Sequence, residues 1–158
     1  MGVATMTAII SGYFWHKHVR NQSLQFRESE FIPLSLAHST RVTPTIHALT
    51  FQLPTALPAS HFSRIPFAVY AKHDLIQIER PYTPTSLLRN DQGDVVGFEV
   101  MLRVYPDGTM SRFLAKKEKG DLVEWRGPVH HAHFTLDANR HRSLLLVSSL
   151  SCILFFLE

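Results

Sequence analysis

Cysteine is nearly absent from this chain of 158 residues, in which Cys152 is the only thiol. One cysteine excludes an intrachain disulfide, a Cys-x-x-Cys motif and a zinc site built from several thiolates of one chain. Such sparing use of cysteine fits a reducing compartment, so we expect an intracellular, cytoplasmic protein.

Clustered positive charge is lacking as well. Charged residues make up 18% of the sequence, the formal net charge is +3, and lysine and arginine form no run of five or more. Without such runs, nucleic acid is not the expected partner. Hydrophobic residues make up 45% of the 158, which is enough for one folded domain with its own core.

Long apolar runs are the third absence. Residues 1–15 and 143–157 carry no charged side chain, but both stretches are shorter than the roughly 20 residues that a membrane-spanning helix needs. We interpret residues 1–27 as an extension that is either disordered or a weak membrane anchor, and we expect residues 28–142 to form the folded domain. Association with a cytoplasm-facing or mitochondrial membrane stays open.

Short strand patterns, rich in threonine, valine, isoleucine and phenylalanine, dominate the folded region. Six strands are predicted, at about 32–41 and 45–53, twice within 67–83, after a turn at 90–93, and at 122–128, with a loop over 54–67. Recurrent turns and the lack of strand–helix alternation predict a mainly β fold with one short helix, as an antiparallel barrel or sandwich.

Strict alternation in the strand after the 90–93 turn separates two faces. The apolar face, which we expect in the core, carries Phe98, Val100, Leu102 and Val104. The opposite face carries Glu99, Met101, Arg103 and Tyr105. Taken alone, this second face is most simply a solvated sheet face.

The stretch IERPYTPTS, residues 78–86, places unusual side chains at the end of a strand. Two prolines, which cannot donate to a ladder, keep this backbone extended. Alternation puts Arg80 and Tyr82 on one side of the chain and Thr83 on the other. A guanidinium suits a pair of phosphate oxygens, a tyrosine can lie against a flat ring, and a threonine can hydrogen-bond a ring nitrogen.

A helix start at Gly108–Ser111, just after the strand that carries Arg103, supplies a second element. Free amides at a helix start favour an anion. Together these groups describe a site for a ligand with phosphates and an aromatic ring. Each group also has an ordinary interpretation, because Arg80 can be a surface ion pair, Tyr82 a half-buried core residue, and the helix start a plain cap.

Three stretches, RPYTPTS, GFEVMLRVYPDGTMSRFLAKKEKGD and VEWRGP, occur in this order. In that order they resemble the flavin-binding lobe of the ferredoxin reductase type, and in particular the NADH–cytochrome b5 reductase family. The resemblance runs from about Phe31 to Pro128. It implies a six-stranded antiparallel Greek-key barrel with FAD as cofactor. It also implies an enzyme that takes a hydride from NADH and passes electrons singly to a haem protein such as cytochrome b5.

The resemblance implies a role for each matching residue. Arg80 would bind the flavin pyrophosphate on a turn shaped by Pro81. Tyr82 would pack along the isoalloxazine and ribityl chain, and Thr83 would hydrogen-bond near the flavin N5 atom, where hydride arrives. The remaining contacts would come from Met101 and Arg103, at positions where the family has a small hydrophobe and a lysine, and from the phosphate-side backbone of Gly108, Thr109, Met110 and Ser111.

The sequence also departs from the family pattern. RIPFAVYAKH stands where the family carries Gly-Gln-His, and Val129, His130 and His131 follow Arg-Gly-Pro where it carries a glycine. The family continues into a doubly wound nicotinamide-binding lobe with a glycine-rich turn. Here RSLLLV is followed by two serines, and no glycine follows Gly127.

We therefore interpret residues 143–158 as a remnant of the first strand of that nicotinamide lobe. This chain alone is expected not to oxidise NADH, which is a partner only if a second lobe or chain supplies its site. Two alternatives follow, namely a non-catalytic module for FAD or another phosphate-bearing ligand, and a truncated fragment without activity.

Histidines cluster at 130, 131 and 133, and again at 16 and 18. Imidazole is a common zinc ligand. Adjacent positions point apart, however, and no carboxylate lies among the three histidines of the later cluster, so no metal site is expected.

Overall fold

The computed structural model describes residues 25–64, 66–73 and 75–130. Residues 1–24 of the predicted extension over 1–27, the tail at 143–158 with its expected strand, and His16, His18, His131 and His133 lie outside these residues. The domain bounds therefore stay predictions. Phe26, two residues before the predicted domain start, is buried in the core.

Seven strands and one α-helix make up the described fold. The strands are β1 (Ile32–Arg41), β2 (Ile46–Leu57), β3 (Phe67–His73), β4 (Ile78–Tyr82), β5 (Pro84–Arg89), β6 (Val95–Arg103) and β7 (Leu122–His130). A 3-10 turn spans Ala59–Phe62, and the helix α1 spans Thr109–Ala115. All neighbouring strands are antiparallel, in the order β4-β3-β7-β1-β2-β6-β5.

The two edges of this sheet are β4 and β5, and Thr83 alone separates them in the sequence. One linking residue spans at most about 7 Å between its flanking Cα atoms. The first and last strands of a seven-stranded sheet can meet at that distance only if the sheet curls round on itself. The predicted antiparallel barrel is therefore confirmed.

Two details of the predicted layout were wrong. There are seven strands, not six. The hairpin around the 90–93 turn was expected to contribute one strand, the one after the turn, but the segment before the turn is also a strand, β5. Strand β5 begins with Pro84, and a proline usually indicates the end of a strand. An edge strand nevertheless tolerates a proline, which has no N–H to donate. The loop predicted over 54–67 begins only after Leu57, because β2 continues past Pro54.

The core fills the inside of the barrel and is rich in aromatic rings. Trp125 is fully buried on β7, with its ring centroid 4.8 Å from Phe51 and 5.3 Å from Phe98. Phe26 packs on Phe98 at 5.7 Å. The predicted apolar face of β6 is confirmed, since Phe98, Val100 and Leu102 are buried and Val104 packs against the core.

The hairpin turn before β6 forms as the sequence indicates. The Oδ1 atom of Asn90 accepts hydrogen bonds from the backbone N–H groups of Gln92, at 3.1 Å, and Asp94, at 2.9 Å. Gly93 adopts φ 84°, which a side chain rarely permits. This turn aligns β5 with β6 and so sets which face of β6 points inward.

Helix α1 is the short helix that was predicted to start at Gly108–Ser111, and it lies against the end of the barrel. Met110 and Leu114, four residues apart, are both buried. Gly108 is its N-cap and Lys116 its C-cap. No helix among the described residues is long and apolar enough to cross a membrane.

Candidate functional site

A pocket of about 420 Å³ opens where the edge strand β4, the end of β6 and the start of α1 meet. Its volume lies within the range of about 300–1,000 Å³ that is usual for small-molecule sites. It is lined by Ile78, Arg80, Pro81, Tyr82, Met101, Leu102, Arg103, Tyr105, Asp107, Gly108, Thr109, Met110 and Ser111. Two stretches of sequence, 78–82 and 101–111, therefore converge on one cavity.

Strand β4 presents its cation to the pocket because of its register with β3. Arg80 lies opposite Ala71, and Tyr82 lies opposite Val69. Opposed residues of an antiparallel pair share a face, and both partners on β3 are fully buried, so Arg80 and Tyr82 project from the inner face. Arg80 is nevertheless exposed at this edge, where its Nη1 atom donates to the carbonyl of Glu79 at 2.8 Å.

Tyr82 is half-buried and meets the core through its ring. Its centroid lies 5.8 Å from that of Trp125 in an edge-on arrangement at 63°. Burial raises the pKa of Tyr82 to about 12, although the nearby positive charge of Arg80 acts in the opposite direction. The phenol therefore stays neutral and keeps its proton as a hydrogen-bond donor at physiological pH.

The end of β6 brings a second cation and a second ring to the pocket. The guanidinium of Arg103 lies 5.9 Å from the ring centroid of Tyr105, and both side chains are exposed. Met101, two residues earlier on the same face, is partly buried. The predicted polar face of β6 is thus a wall of the pocket.

The turn between β6 and α1 is tight. Ser111, which is buried, accepts a hydrogen bond from the Tyr105 backbone N–H through Oγ at 3.2 Å and donates to the Gly108 carbonyl at 3.2 Å. A Cβ atom at Gly108 would lie 2.4 Å from that Oγ and 3.0 Å from the Cβ of Tyr105. Only glycine fits here without a shift, and its bare backbone forms part of the pocket wall.

The pocket suits a phosphate-bearing ligand with a flat ring. Two of its lining residues, Arg80 and Arg103, are cations and one, Asp107, is an anion, so the positive charge prevails. Guanidinium groups bind phosphate oxygens in pairs, and Tyr82 and Tyr105 offer aromatic surfaces. These donors and rings fit the pyrophosphate and ring systems of FAD.

Nine of the ten predicted cofactor residues line this pocket. The exception is Thr83, the half-buried link between β4 and β5, which adjoins Tyr82 but is not a lining residue. Prediction from sequence missed Ile78, Leu102, Tyr105 and Asp107. The alternation that placed Tyr105 beside Arg103 on one face, together with the Pro-Asp-Gly turn, could have identified Tyr105 and Asp107. The roles of the individual residues stay predictions.

Sequence comparison identifies the family. The pattern of the oxidoreductase FAD-binding domain matches residues 33–134, which is more than half of the chain. This range contains both stretches that line the pocket.

Known proteins that are similar to this chain include reductases of yeasts. NADH-cytochrome b5 reductase 2 of Yarrowia lipolytica is 26% identical over 125 residues, covering 77% of this chain and 40% of that protein. NADH-cytochrome b5 reductase 1 of Lodderomyces elongisporus is 40% identical over 73 residues, covering 46% of this chain and 22% of that protein. The chain thus spans less than half the length of these relatives.

A solved structure agrees on the fold. A cytochrome P450 reductase of Amycolatopsis superposes with a TM-score of 0.54 at 16% identity, over 72% of this chain and 32% of that one. The family match, the reductase relatives and the pocket lead to one conclusion. The chain belongs to the oxidoreductase FAD-binding domain family, with FAD as its cofactor, and it is similar to NADH-cytochrome b5 reductases.

Proposed function

We propose that this chain is the flavin-holding part of an NADH–cytochrome b5 reductase-like oxidoreductase, and that the pocket between β4, β6 and α1 holds the FAD. The observation that carries the proposal is the convergence of Arg80, Tyr82 and Arg103 with the glycine turn at Gly108 on one cavity. These groups come from three elements, of which β4 is distant in sequence from the end of β6 and the start of α1.

Arg80 binds the pyrophosphate, and Arg103 adds a second positive charge at the same cavity. The backbone N–H groups of residues 109–111 at the start of α1 have no intrahelical acceptor and face the cofactor in this proposal, whereas the N–H of Gly108 donates to the Tyr105 carbonyl at 3.0 Å. The tight Gly108 turn lets a phosphate approach that backbone closely. Charge and backbone together hold the anionic part of the cofactor.

Tyr82 and Thr83 serve the ring end of the cofactor in this proposal. The neutral phenol of Tyr82 packs along the ring system, and the Thr83 hydroxyl is oriented toward the flavin N5 atom. When bound, FAD supplies the chemistry of accepting a hydride and releasing electrons one at a time. The chain positions the ring and excludes water from its inner side.

NADH and a haem protein are the proposed electron donor and acceptor. This part of the proposal is supported by the names of the reductase relatives. Because the chain spans less than half of those relatives, a second lobe or chain is proposed to supply the NADH site. We also propose an intracellular, cytoplasmic location.

A titration with FAD tests the proposed cofactor site. We expect the purified 158-residue chain to be yellow, or to quench the fluorescence of added FAD with a dissociation constant below about 10 μM, near −7 kcal/mol. A folded protein that leaves FAD fluorescence unchanged at protein concentrations on the order of tens of micromolar would overturn the proposal. Competition by ADP, which shares the pyrophosphate, identifies the phosphate end of the site.

A module that binds FAD without turning over NADH is the second candidate. The observation in its favour is the coverage of the relatives, of which this chain matches 40% and 22%. Assays of flavin binding and NADH oxidation on the same preparation distinguish the two candidates.

A further inference from the structure

The outer face of the sheet carries a row of charged and aromatic side chains behind the pocket. Glu79 on β4 lies opposite Lys72 on β3, and Lys72 lies opposite Glu124 on β7. Tyr70 on β3 lies opposite Arg126 on β7. These five side chains share one face, and it is the face opposite to that of Arg80.

Arg126 reaches diagonally across β3 to the edge strand. Its Nη2 atom lies 3.4 and 3.5 Å from the two carboxylate oxygens of Glu79. Its guanidinium stacks over the ring of Tyr70 at 4.3 Å and lies 5.2 Å from that of Phe31, while Nη1 donates to the Glu28 carbonyl at 3.0 Å. A guanidinium that is fixed on several sides loses little further freedom when it binds a carboxylate.

The edge strand β4 is short and lies at the margin of the sheet. It has five residues and, among the described strands, it pairs only with β3. Pro81 has no N–H for the ladder. A slip of one residue would turn Glu79 inward and Arg80 outward, because successive side chains alternate between faces.

We propose that Arg126 is a positioning residue for the flavin pocket: by binding Glu79 on the outer face, it fixes the register of β4 and so directs Arg80 and Tyr82 into the pocket. The proposal rests on the proposed FAD site for its functional meaning. Its structural part concerns β4 alone and does not depend on a ligand.

The same contact also limits an internal competitor. Glu79 adjoins Arg80 in sequence, and its carboxylate is the nearest acidic group along the strand. While Arg126 binds that carboxylate on the outer face, Arg80 is available to an anion on the inner face. Without Arg126, the negative charge of Glu79 would be less compensated and would weaken the attraction of the neighbouring Arg80 site for an anion.

Hydrogen exchange in the absence of FAD tests the structural part. Arg126→Gln and Glu79→Gln are each expected to speed amide exchange in the β4 segment, with no further increase in the double variant. Arg89→Gln is a matched control, because this arginine lies on the opposite edge strand and donates to the Gly93 carbonyl at 2.9 Å. It should leave β4 unchanged. Equal protection of β4 in Arg126→Gln and the wild type would overturn the proposal.

FAD affinity supplies the functional readout at a temperature where all variants are folded. Each single variant of the pair is expected to raise the dissociation constant about two- to fivefold, in line with an exposed ion pair, and the double variant no more than either. Arg126→Lys, which keeps the charge, should recover part of the loss. Fully additive effects of Arg126→Gln and Glu79→Gln would overturn the proposal. Failure of the wild type to bind FAD would instead overturn the proposed function, while the exchange experiment still decides the role of Arg126.

Discussion

At the scale of single residues, Arg80 and Tyr82 lie on the same strand but differ in their exposure and in their contact with the core. They share the inner face of β4, yet Arg80 is exposed at the edge and Tyr82 is half-buried against Trp125. The cation can therefore change without disturbing the core, whereas the phenol is coupled to it. Each of these properties leads to a separate measurement.

Replacement of Arg80 by alanine should weaken FAD binding without unfolding the protein. A charge-assisted hydrogen bond contributes roughly 1.5–3 kcal/mol, so affinity should fall about ten- to a hundredfold. Fluorescence titration measures the affinity and thermal unfolding measures the stability. Arg41→Ala is the control, since Arg41 lies on the β1–β2 hairpin and donates to the Pro44 carbonyl. Unchanged affinity in Arg80→Ala would contradict the pyrophosphate role.

The raised pKa of Tyr82 predicts a loss of stability in alkali. Between about pH 10, where a free tyrosine titrates, and its folded-state pKa of about 12, the folded state keeps the proton that the unfolded state has lost. The unfolded state then binds fewer protons, so the free energy of unfolding falls as the pH rises. The free energy of unfolding of the wild type minus that of Tyr82→Phe should therefore fall above about pH 10. Denaturant unfolding measures it, and a constant difference up to about pH 11 would contradict the burial of this phenol.

Sequence reasoning worked best for residues whose chemistry is unusual for their surroundings. An arginine, a tyrosine and two prolines at a strand end are informative because a plain strand has no need of them. Ile78 and Leu102 line the same pocket but are ordinary strand residues. Their participation depends on how β4 meets β6, and alternation along one strand carries no information about that contact.

At the scale of elements, the turn from β6 into α1 connects sequence to site most directly. Gly108 has an ordinary negative φ of −79°, so crowding, and not backbone handedness, requires glycine there. A serine at a helix start is a common N-cap, but here Gly108 is the N-cap, and the Ser111 hydroxyl closes the turn from inside. A sequence pattern alone does not distinguish these two uses of a serine.

Gly108→Ala should therefore cost both stability and FAD affinity. The added methyl group would crowd the Ser111 hydroxyl and the Tyr105 side chain, and overpacking of this kind costs about 1–3 kcal/mol. Gly93→Ala is the matched control, because Gly93 has φ 84° in the hairpin turn with no atom near the added methyl. It should lose about 1 kcal/mol of stability and keep its affinity for FAD. Thermal unfolding and FAD titration separate the two effects, and equal FAD affinity in both variants would contradict a role of the α1 turn in the site.

Strand β5 illustrates why element counts fail from sequence. Proline at its first position and a single residue between it and β4 indicate one interrupted strand, and prediction placed only one there. The structure makes two strands of it because Thr83 is where the chain passes from one edge of the sheet to the other. That change depends on barrel closure, which is a property of all seven strands together.

At the scale of the whole molecule, closure of the barrel and formation of the pocket are one event. Arg80 and Tyr82 lie on the edge strand β4, and Thr83 joins that edge to the opposite one. The pocket lies beside this seam, where the edge strand β4 meets the end of β6 and the start of α1. A pocket at this position can hold a cofactor against the barrel while its opposite side stays open to solvent.

The last prediction concerns NADH and the 158-residue chain as a whole. Hydride transfer requires the nicotinamide to be held against the flavin, and positioning accounts for a large share of such a rate. A doubly wound dinucleotide site uses a Gly-x-Gly-x-x-Gly turn, and the seven glycines of this chain form no such motif. We therefore expect the chain to bind FAD, and to be reduced by dithionite, without steady oxidation of NADH.

An NADH-to-ferricyanide assay on the FAD-loaded chain makes the measurement. The control is the same preparation treated with dithionite, whose bleached flavin absorbance verifies that the cofactor is bound and reducible. The physical reason for the expected difference is that a small reductant needs only access to the ring, whereas NADH needs a site that orients it. NADH turnover of about ten per second, which is ordinary for enzymes, would mean that a nicotinamide site exists within these 158 residues. The open side of the pocket beside Tyr105 would then be the first place to seek it, because its exposed ring could stack with the nicotinamide.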